Sequence, residues 1–225
     1  MLEKIEINPK TSAIGSVIWL HGLGANGNDF VPIIQAFDLP SHLPLRFVFP
    51  HAPFIPVTIN NGHVMRAWYD IHSLTTEHIS DNAGIENSIK EVTKLIEHET
   101  TLGIPSERII LGGFSQGSVV ALSLGLTYPK RLGGIIALSG YLSHRNEIQK
   151  KLTDTTRTTP IFLAHGEKDN VVPYFLGEIT FQFLQKNNCQ VDWHSYPIAH
   201  SVSIDEINDI THFLKKIFLS AKQIT

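Results

Sequence analysis

Apolar residues fall along this chain in two alternating rhythms. Short β-branched and aliphatic runs, Ser16 to Leu20, Leu45 to Phe49, Arg108 to Leu111, Gly134 to Leu138, Pro160 to Ala164 and Gln190 to Tyr196, predict strands. Several are apolar on both faces, which a parallel sheet covered by helices requires. Between them, Ile85, Ile89, Val92, Leu95 and Ile96 recur at helical spacing, so they predict one amphipathic stripe ending near Gly103 and Pro105. Similar stripes run from Pro173 to Gln185 and from Ile204 to Phe218, the latter through Ile207, Ile210, Phe213, Leu214 and Ile217. Strand then helix, repeated, predicts an α/β fold with a mostly parallel, doubly wound sheet.

Two segments break the rhythm. From Pro50 to about Asn82 the chain carries three prolines, the Asn60-Asn61-Gly62 turn signal and an apolar patch from Met65 to Ile71. A connection this long in a compact domain is usually functional or disordered, and Phe54, Trp68 and Tyr69 favour order. Leu142 to Thr159 is polar and rich in threonine, and reads as a surface connection. No repeat or linker divides the 225 residues, so one domain over residues 1–225 is expected.

Composition removes several function classes. A content of 42% hydrophobic and 17% charged residues is that of a folded globular chain. Eighteen Lys and Arg against 21 Asp and Glu give a net charge of -3, which offers nucleic acid no footing as a partner. The single cysteine, Cys189, allows neither an internal disulfide nor a thiolate zinc site. The acidic residues in the first seven positions do not suit a secretory leader, and no window suits a membrane span, so the expected location is the cytoplasm. Twelve histidines are the one oddity, but their spacing fits no metal-binding helix. Neither a dinucleotide fingerprint nor a phosphate loop occurs, and no metal or cofactor is expected.

The chemistry concentrates at Gly113-Phe114-Ser115-Gln116-Gly117, which follows one predicted strand and precedes the helical stretch Ser118 to Tyr128. That context fits a nucleophile elbow, a tight turn holding a serine hydroxyl clear of the backbone. Such a hydroxyl needs a base, and the base needs an orienting carboxylate. Asp169 and His200 follow in the order usual for this arrangement, each just beyond a predicted strand. Asp154, Asp192, Asp205 and Asp209 read as surface charges, and His194 as half of a pair with Asp192. The expected oxyanion donors are the backbone amides of Gln116 and of Leu23, the latter in the loop His21-Gly22-Leu23-Gly24. His21 reads as packed beneath the site, and the histidines other than His200 need no special role.

These residues, with Pro50-His51-Ala52-Pro53, Arg66-Ala67-Trp68-Tyr69-Asp70, Leu138-Ser139-Gly140, His165-Gly166, Val171-Val172-Pro173 and Tyr196-Pro197, resemble small bacterial carboxylesterases related to acyl-protein thioesterases and lysophospholipases. The resemblance implies an α/β-hydrolase fold, with Ser115, Asp169 and His200 as a triad and Leu23 with Gln116 as the oxyanion hole; with 225 residues nearly consumed by sheet, helices and catalytic loops, no separate cap domain is expected. It also implies that the Pro50 to Asn82 segment shapes the acyl pocket, with Leu74, Trp68 and Tyr141 as substrate-binding residues. The expected activity is cleavage of short to medium acyl esters. Longer acyl chains on lipidated protein or lysophospholipid are the alternative, and a non-catalytic binding module is a remote one. A homodimer and transient membrane contact are further expectations. Ser118, and Ile198-Ala199 before His200, depart from the common pattern, which has Gly or Ala and Met-Gly there.

Overall fold

A computed structural model describes residues 1–72 and 81–220. In chain order the elements are β1 (Lys4–Ile7), β2 (Gly15–Leu20), α1 (Ile33–Ala36), β3 (Leu45–Pro50), β4 (Phe54–Val57), β5 (His63–Arg66), α2 (Asn82–Thr101), β6 (Ile109–Phe114), α3 (Gln116–Gly125), β7 (Gly134–Leu138), α4 (Arg145–Lys151), α5 (Asp154–Arg157), β8 (Ile161–Gly166), α6 (Tyr174–Lys186), β9 (Val191–Tyr196) and α7 (Ile204–Ser220). Seven strands form one sheet in the order β1-β3-β2-β6-β7-β8-β9, parallel throughout except where β1 pairs antiparallel with β3.

Strand periodicity explains why the central runs are apolar at every position. In β2, Val17 and Trp19 point to one face while Ile18 and Leu20 point to the other. Phe47 and Phe49 in β3, and Ile110 in β6, join the first face, which α1 and α7 cover; Val48 and Leu111 join the second. On that second face, α2 lays down Ile85, Val92, Leu95 and Ile96, each buried. Full burial of such a side chain contributes about 1.5–3 kcal/mol relative to exposure. Helix α3 is buried along its whole length beneath α2 and above β6 and β7. Leu184 of α6 packs with Leu122 of α3 on the same face.

The irregular segments acquire local order. Within Pro50 to Asn82, β4 and β5 form an antiparallel hairpin, with Phe54 opposite Arg66 and Val57 opposite His63. Its turn is the Asn-Gly signal: Asn61 and Gly62 both take positive φ, at 55° and 74°. Leu142 to Thr159 contains the short helices α4 and α5, the latter capped by Thr153 in a reciprocal capping box with Thr156.

From β2 the chain passes through α1 to β3 on one side of it, and from β3 it returns through the hairpin and α2 to β6 on the other side of β2. The sheet therefore has its topological switch point between β2 and β6, the place where open α/β sheets leave a crevice beyond their strand ends. Leu20 of β2 lies opposite Gly113 of β6, so the loops starting at His21 and Ser115 leave the sheet side by side.

Candidate active site

Ser115 occupies the turn between β6 and α3 with φ 54° and ψ -119°, a conformation that costs roughly 1–3 kcal/mol for a non-glycine residue. The surroundings hold it there. Its amide donates to the Leu138 carbonyl at 2.8 Å, extending the β6–β7 ladder, and its carbonyl accepts from the Ser118 amide at 3.0 Å. Glycines flank it because neighbours leave no room: a Cβ on Gly113 would lie 2.4 Å from the Gly117 backbone, and one on Gly117 would lie 2.3 Å from the Leu20 carbonyl oxygen. Ser118 has a use of its own, since its hydroxyl donates to the Ser115 carbonyl at 2.8 Å.

The three side chains singled out in the sequence meet. The Ser115 hydroxyl lies 3.0 Å from His200 Nε2, and His200 Nδ1 donates to Asp169 Oδ2 at 2.7 Å. A carboxylate only accepts, so Nδ1 carries the ring proton and Nε2 is left to accept from the serine. Asp169 is fixed from the other side, because its Oδ1 accepts from the Val171 and Val172 amides at 2.9 and 2.8 Å. The loop that presents His200 is tied to the loop after β8: the Glu167 amide donates to the Tyr196 carbonyl and the Lys168 amide to the Ile198 carbonyl, at 2.8 and 2.9 Å. Ala199 is not among the positive-φ residues, so alanine fits there without backbone strain. An imidazole so placed can withdraw a proton from the serine as the oxygen attacks a carbonyl carbon.

On the opposite flank, a Cβ on Gly22 would touch the Ser115 Cβ at 3.4 Å, which brings the Leu23 loop directly against the serine. Among the described residues, neither the Leu23 amide nor the Gln116 amide has a hydrogen-bond acceptor. The Gln116 amide opens α3, where a helix presents unpaired donors and the positive end of its dipole. The loop is anchored by Gly24, whose amide donates to the Arg66 carbonyl at 2.8 Å, and by Gly27, whose amide donates to His51 Nδ1 at 3.0 Å.

Trp68 and Tyr141, the candidate substrate-binding residues within the described segments, are both buried. Trp68 is only 2% exposed; its indole N–H donates to the His21 carbonyl and its amide to Gln116 Oε1, both at 2.8 Å, so its polar groups brace the loops, while its ring joins Leu2, Pro53 and Ile55 in lining a cavity. Tyr141 is likewise buried, packed in the core beside Tyr69. Leu74 lies outside the described residues. Asp209 is engaged, accepting from the Tyr196 hydroxyl at 2.7 Å, while His194 does pair with Asp192 at 3.4 Å.

Two further histidines are buried beneath the site. His21 is fully buried, with Nδ1 donating to the Gly22 carbonyl at 2.7 Å and Nε2 accepting from the Ala52 amide at 3.0 Å. Burial pushes its pKa down to about 4. His165 lies beneath Asp169 with Nε2 donating to the Val172 carbonyl at 2.8 Å, and burial lowers its pKa too. Phe114, unremarked within the elbow, packs against the His200 ring at 4.8 Å between centroids. Adjacency to glycine loops at strand ends was the available signal for His21 and His165. Glu6, His98 and Glu99 bring potential ligand atoms within 4.8 Å, but Arg46 takes both carboxylates, reaching Glu6 at 2.6 Å and Glu99 at 3.0 Å.

The chain is similar over most of its length to known proteins. Acyl-protein thioesterase 1 of Schizosaccharomyces pombe is 38% identical over 219 residues, covering 96% of either chain. A probable carboxylesterase of Oryza sativa subsp. japonica is 37% identical, covering 88% of this chain and 76% of its own. The crystal structure of Arabidopsis thaliana SOBER1 superposes with a TM-score of 0.85 at 32% identity, over 90% of this chain and 98% of that one. Residues 3–218 match the family described as Phospholipase/Carboxylesterase. With the family's sequence pattern matched over residues 3–218 and a relative 38% identical over 96% of either chain, this chain belongs to the Phospholipase/Carboxylesterase family.

Proposed function

We propose that the chain acts as a single α/β-hydrolase domain that cleaves carboxylic esters through an acyl-enzyme on Ser115. The observation that carries the proposal is the continuous hydrogen-bond line from the Ser115 hydroxyl through His200 to Asp169. In this reading Ser115 Oγ attacks the acyl carbonyl carbon and gives its proton to His200 Nε2. Asp169 holds the imidazole in the required tautomer and stabilises the imidazolium. The Leu23 and Gln116 amides receive the developing oxyanion, each accounting for about 10²- to 10³-fold in rate. His200 then protonates the leaving group, the tetrahedral intermediate collapses to the acyl-enzyme, and water releases the acid by the same steps with His200 as base.

A second reading, thioester cleavage on acylated protein, is favoured by the 38% identity to a protein named acyl-protein thioesterase 1. One mechanism serves both, since the carbonyl is attacked alike and only the leaving group differs. Exposed apolar side chains on the hairpin, Phe54 and Val64, together with Val171 and Phe175 beside Asp169, would suit transient contact with a membrane that presents such a substrate. Hydrolysis rates for esters and thioesters of graded chain length test the two readings. Ester turnover that vanishes in Ser115→Ala supports the acyl-enzyme. Selective turnover of long-chain thioesters would move the assignment to the second reading.

A further inference from the structure

Two hydrogen-bond chains converge behind the proposed oxyanion donors, and one residue joins them. A trans peptide points its C=O and N–H in opposite directions. His21 Nδ1 donates to the Gly22 carbonyl at 2.7 Å, and that carbonyl belongs to the peptide whose N–H is the Leu23 amide. Fixing the oxygen therefore fixes the direction of the hydrogen, at a glycine where the peptide would otherwise turn easily. The imidazole cannot rotate away, because its Nε2 accepts from the Ala52 amide at 3.0 Å. Each partner has a single role, carbonyl as acceptor and amide as donor, so the tautomer is determined. A bond to the carbonyl also polarises the peptide and strengthens its N–H as a donor.

The second chain fixes the other amide. The Gln116 side chain grips neighbouring backbone at both ends, with Oε1 accepting from the Trp68 amide at 2.8 Å and Nε2 donating to the Tyr69 carbonyl at 2.6 Å. Trp68 closes the circuit by donating its indole N–H to the His21 carbonyl at 2.8 Å. Ser88 holds the Trp68 carbonyl from α2. None of these side chains needs to touch substrate.

We infer that His21 and Trp68 are positioning residues which together set the aim and separation of the Leu23 and Gln116 amides. The inference rests on the reading of those amides as the oxyanion hole. Misplacement of a donor by about 1 Å costs on the order of 10²-fold in rate, so a network that fixes both donors carries a large share of the barrier reduction.

The test uses the intact protein, a short-chain nitrophenyl ester and a trifluoromethyl ketone of matching chain length, which forms a tetrahedral adduct. His21→Gln places an acceptor near the Ala52 amide but abandons the Gly22 carbonyl. His21→Asn does the reverse, since its Nδ2 can stand where the ring Nδ1 stood. The expected result is a fall in kcat of about 10²-fold for His21→Gln, with KM nearly unchanged and ketone affinity falling in parallel. His21→Asn should recover about tenfold of both quantities. Trp68→Phe removes the indole donor together with part of the buried ring and should lower kcat and ketone affinity together by about five- to tenfold. If the His21 variants do not fold, Trp68→Phe decides alone. Equal losses in the two His21 variants, or lost kcat with undiminished ketone affinity, would overturn the inference. Ser115→Ala separates the layers: activity surviving there removes the proposed function itself, whereas an inactive Ser115→Ala beside unchanged Trp68→Phe kinetics removes only the positioning network.

Discussion

The two flanks of Ser115 are built from different materials. On the β8–β9 side, Asp169 and His200 meet through a carboxylate and an imidazole, and the carboxylate is held by two backbone amides. On the β2–β3 side, the loop from Gly22 to Gly27 is held by His21 and His51, which accept from the Ala52 and Gly27 amides and must be unprotonated to do so. In the proposed mechanism one flank must change its protonation state to work. The other must keep it. In the proposed mechanism the same side-chain type would serve as proton carrier where it reaches solvent, His200 being 15% exposed, and as a rigid neutral strut where it is buried.

Removing the shared element gives the largest effect. Ser115→Ala should lower ester kcat by three to six orders of magnitude, about what loss of a nucleophile costs in related mechanisms, with an unchanged circular dichroism spectrum. Retention of even a tenth of the activity would end the comparison, because neither flank would then be aimed at the reacting atom.

Breaking only the β8–β9 flank comes next. In Asp169→Asn the oxygen is expected to stay with the Val171 and Val172 amides, which turns the new NH₂ toward His200 Nδ1. That enforces the wrong tautomer and should lower kcat by about 10³- to 10⁴-fold with little change in folding. A loss under tenfold would mean that Asp169 does not orient the imidazole.

The neutral flank is attacked by acid. Folded His21 stays neutral down to a pKa of about 4, whereas an unfolded histidine protonates near 6.5. Between those values the unfolded chain binds the extra proton, so stability is full above about pH 6.5 and declines as pH falls, by about 3 kcal/mol at pH 4 from this group alone. Urea titrations at pH 7 and pH 4.5 should show a smaller difference for His21→Asn than for the unsubstituted protein. Identical pH dependence would place the acid sensitivity elsewhere.

Glu206 supplies the smallest effect and the opposite sign. It closes the capping box of α7, its amide bonded to Ser203 Oγ at 3.1 Å, and burial raises its pKa to about 7. An unfolded glutamate ionises near 4.5, so stability falls as pH rises from there through 7. Glu206→Gln keeps the cap without the charge, and should raise stability at pH 8 by about 1 kcal/mol while leaving kcat within twofold. A melting temperature lowered at pH 8 would show that the carboxylate is needed as such.

Legibility in the sequence followed the same division. Both-face apolar runs betrayed the parallel strands, and the elbow with its ordered Asp and His betrayed the β8–β9 flank, because reacting groups must be particular residue types. Strand β1 went unread: it has only four residues, and as an edge it alternates Lys4 and Glu6 with Ile5 and Ile7 over too short a span. The hairpin was missed although Asn61-Gly62 announces it, since Pro53 and Pro56 obscure the strand pattern. Burial of His21 beneath the site was legible, but what it and Trp68 hold was not, because a buried strut is chosen for reach and hydrogen-bond polarity, which a linear pattern does not record. Their roles appear only when the Gly22 carbonyl and the Gln116 side chain are seen beside them.

Labelling with a fluorophosphonate bears most directly on the central claim that both flanks converge on one activated hydroxyl. Peptide mapping by mass spectrometry should find one phosphonate per chain, on Ser115, with ester hydrolysis lost in proportion to labelling and the reaction abolished in Ser115→Ala. Hydrolysis that persists after stoichiometric labelling, or a phosphonate carried on another residue, would contradict the account.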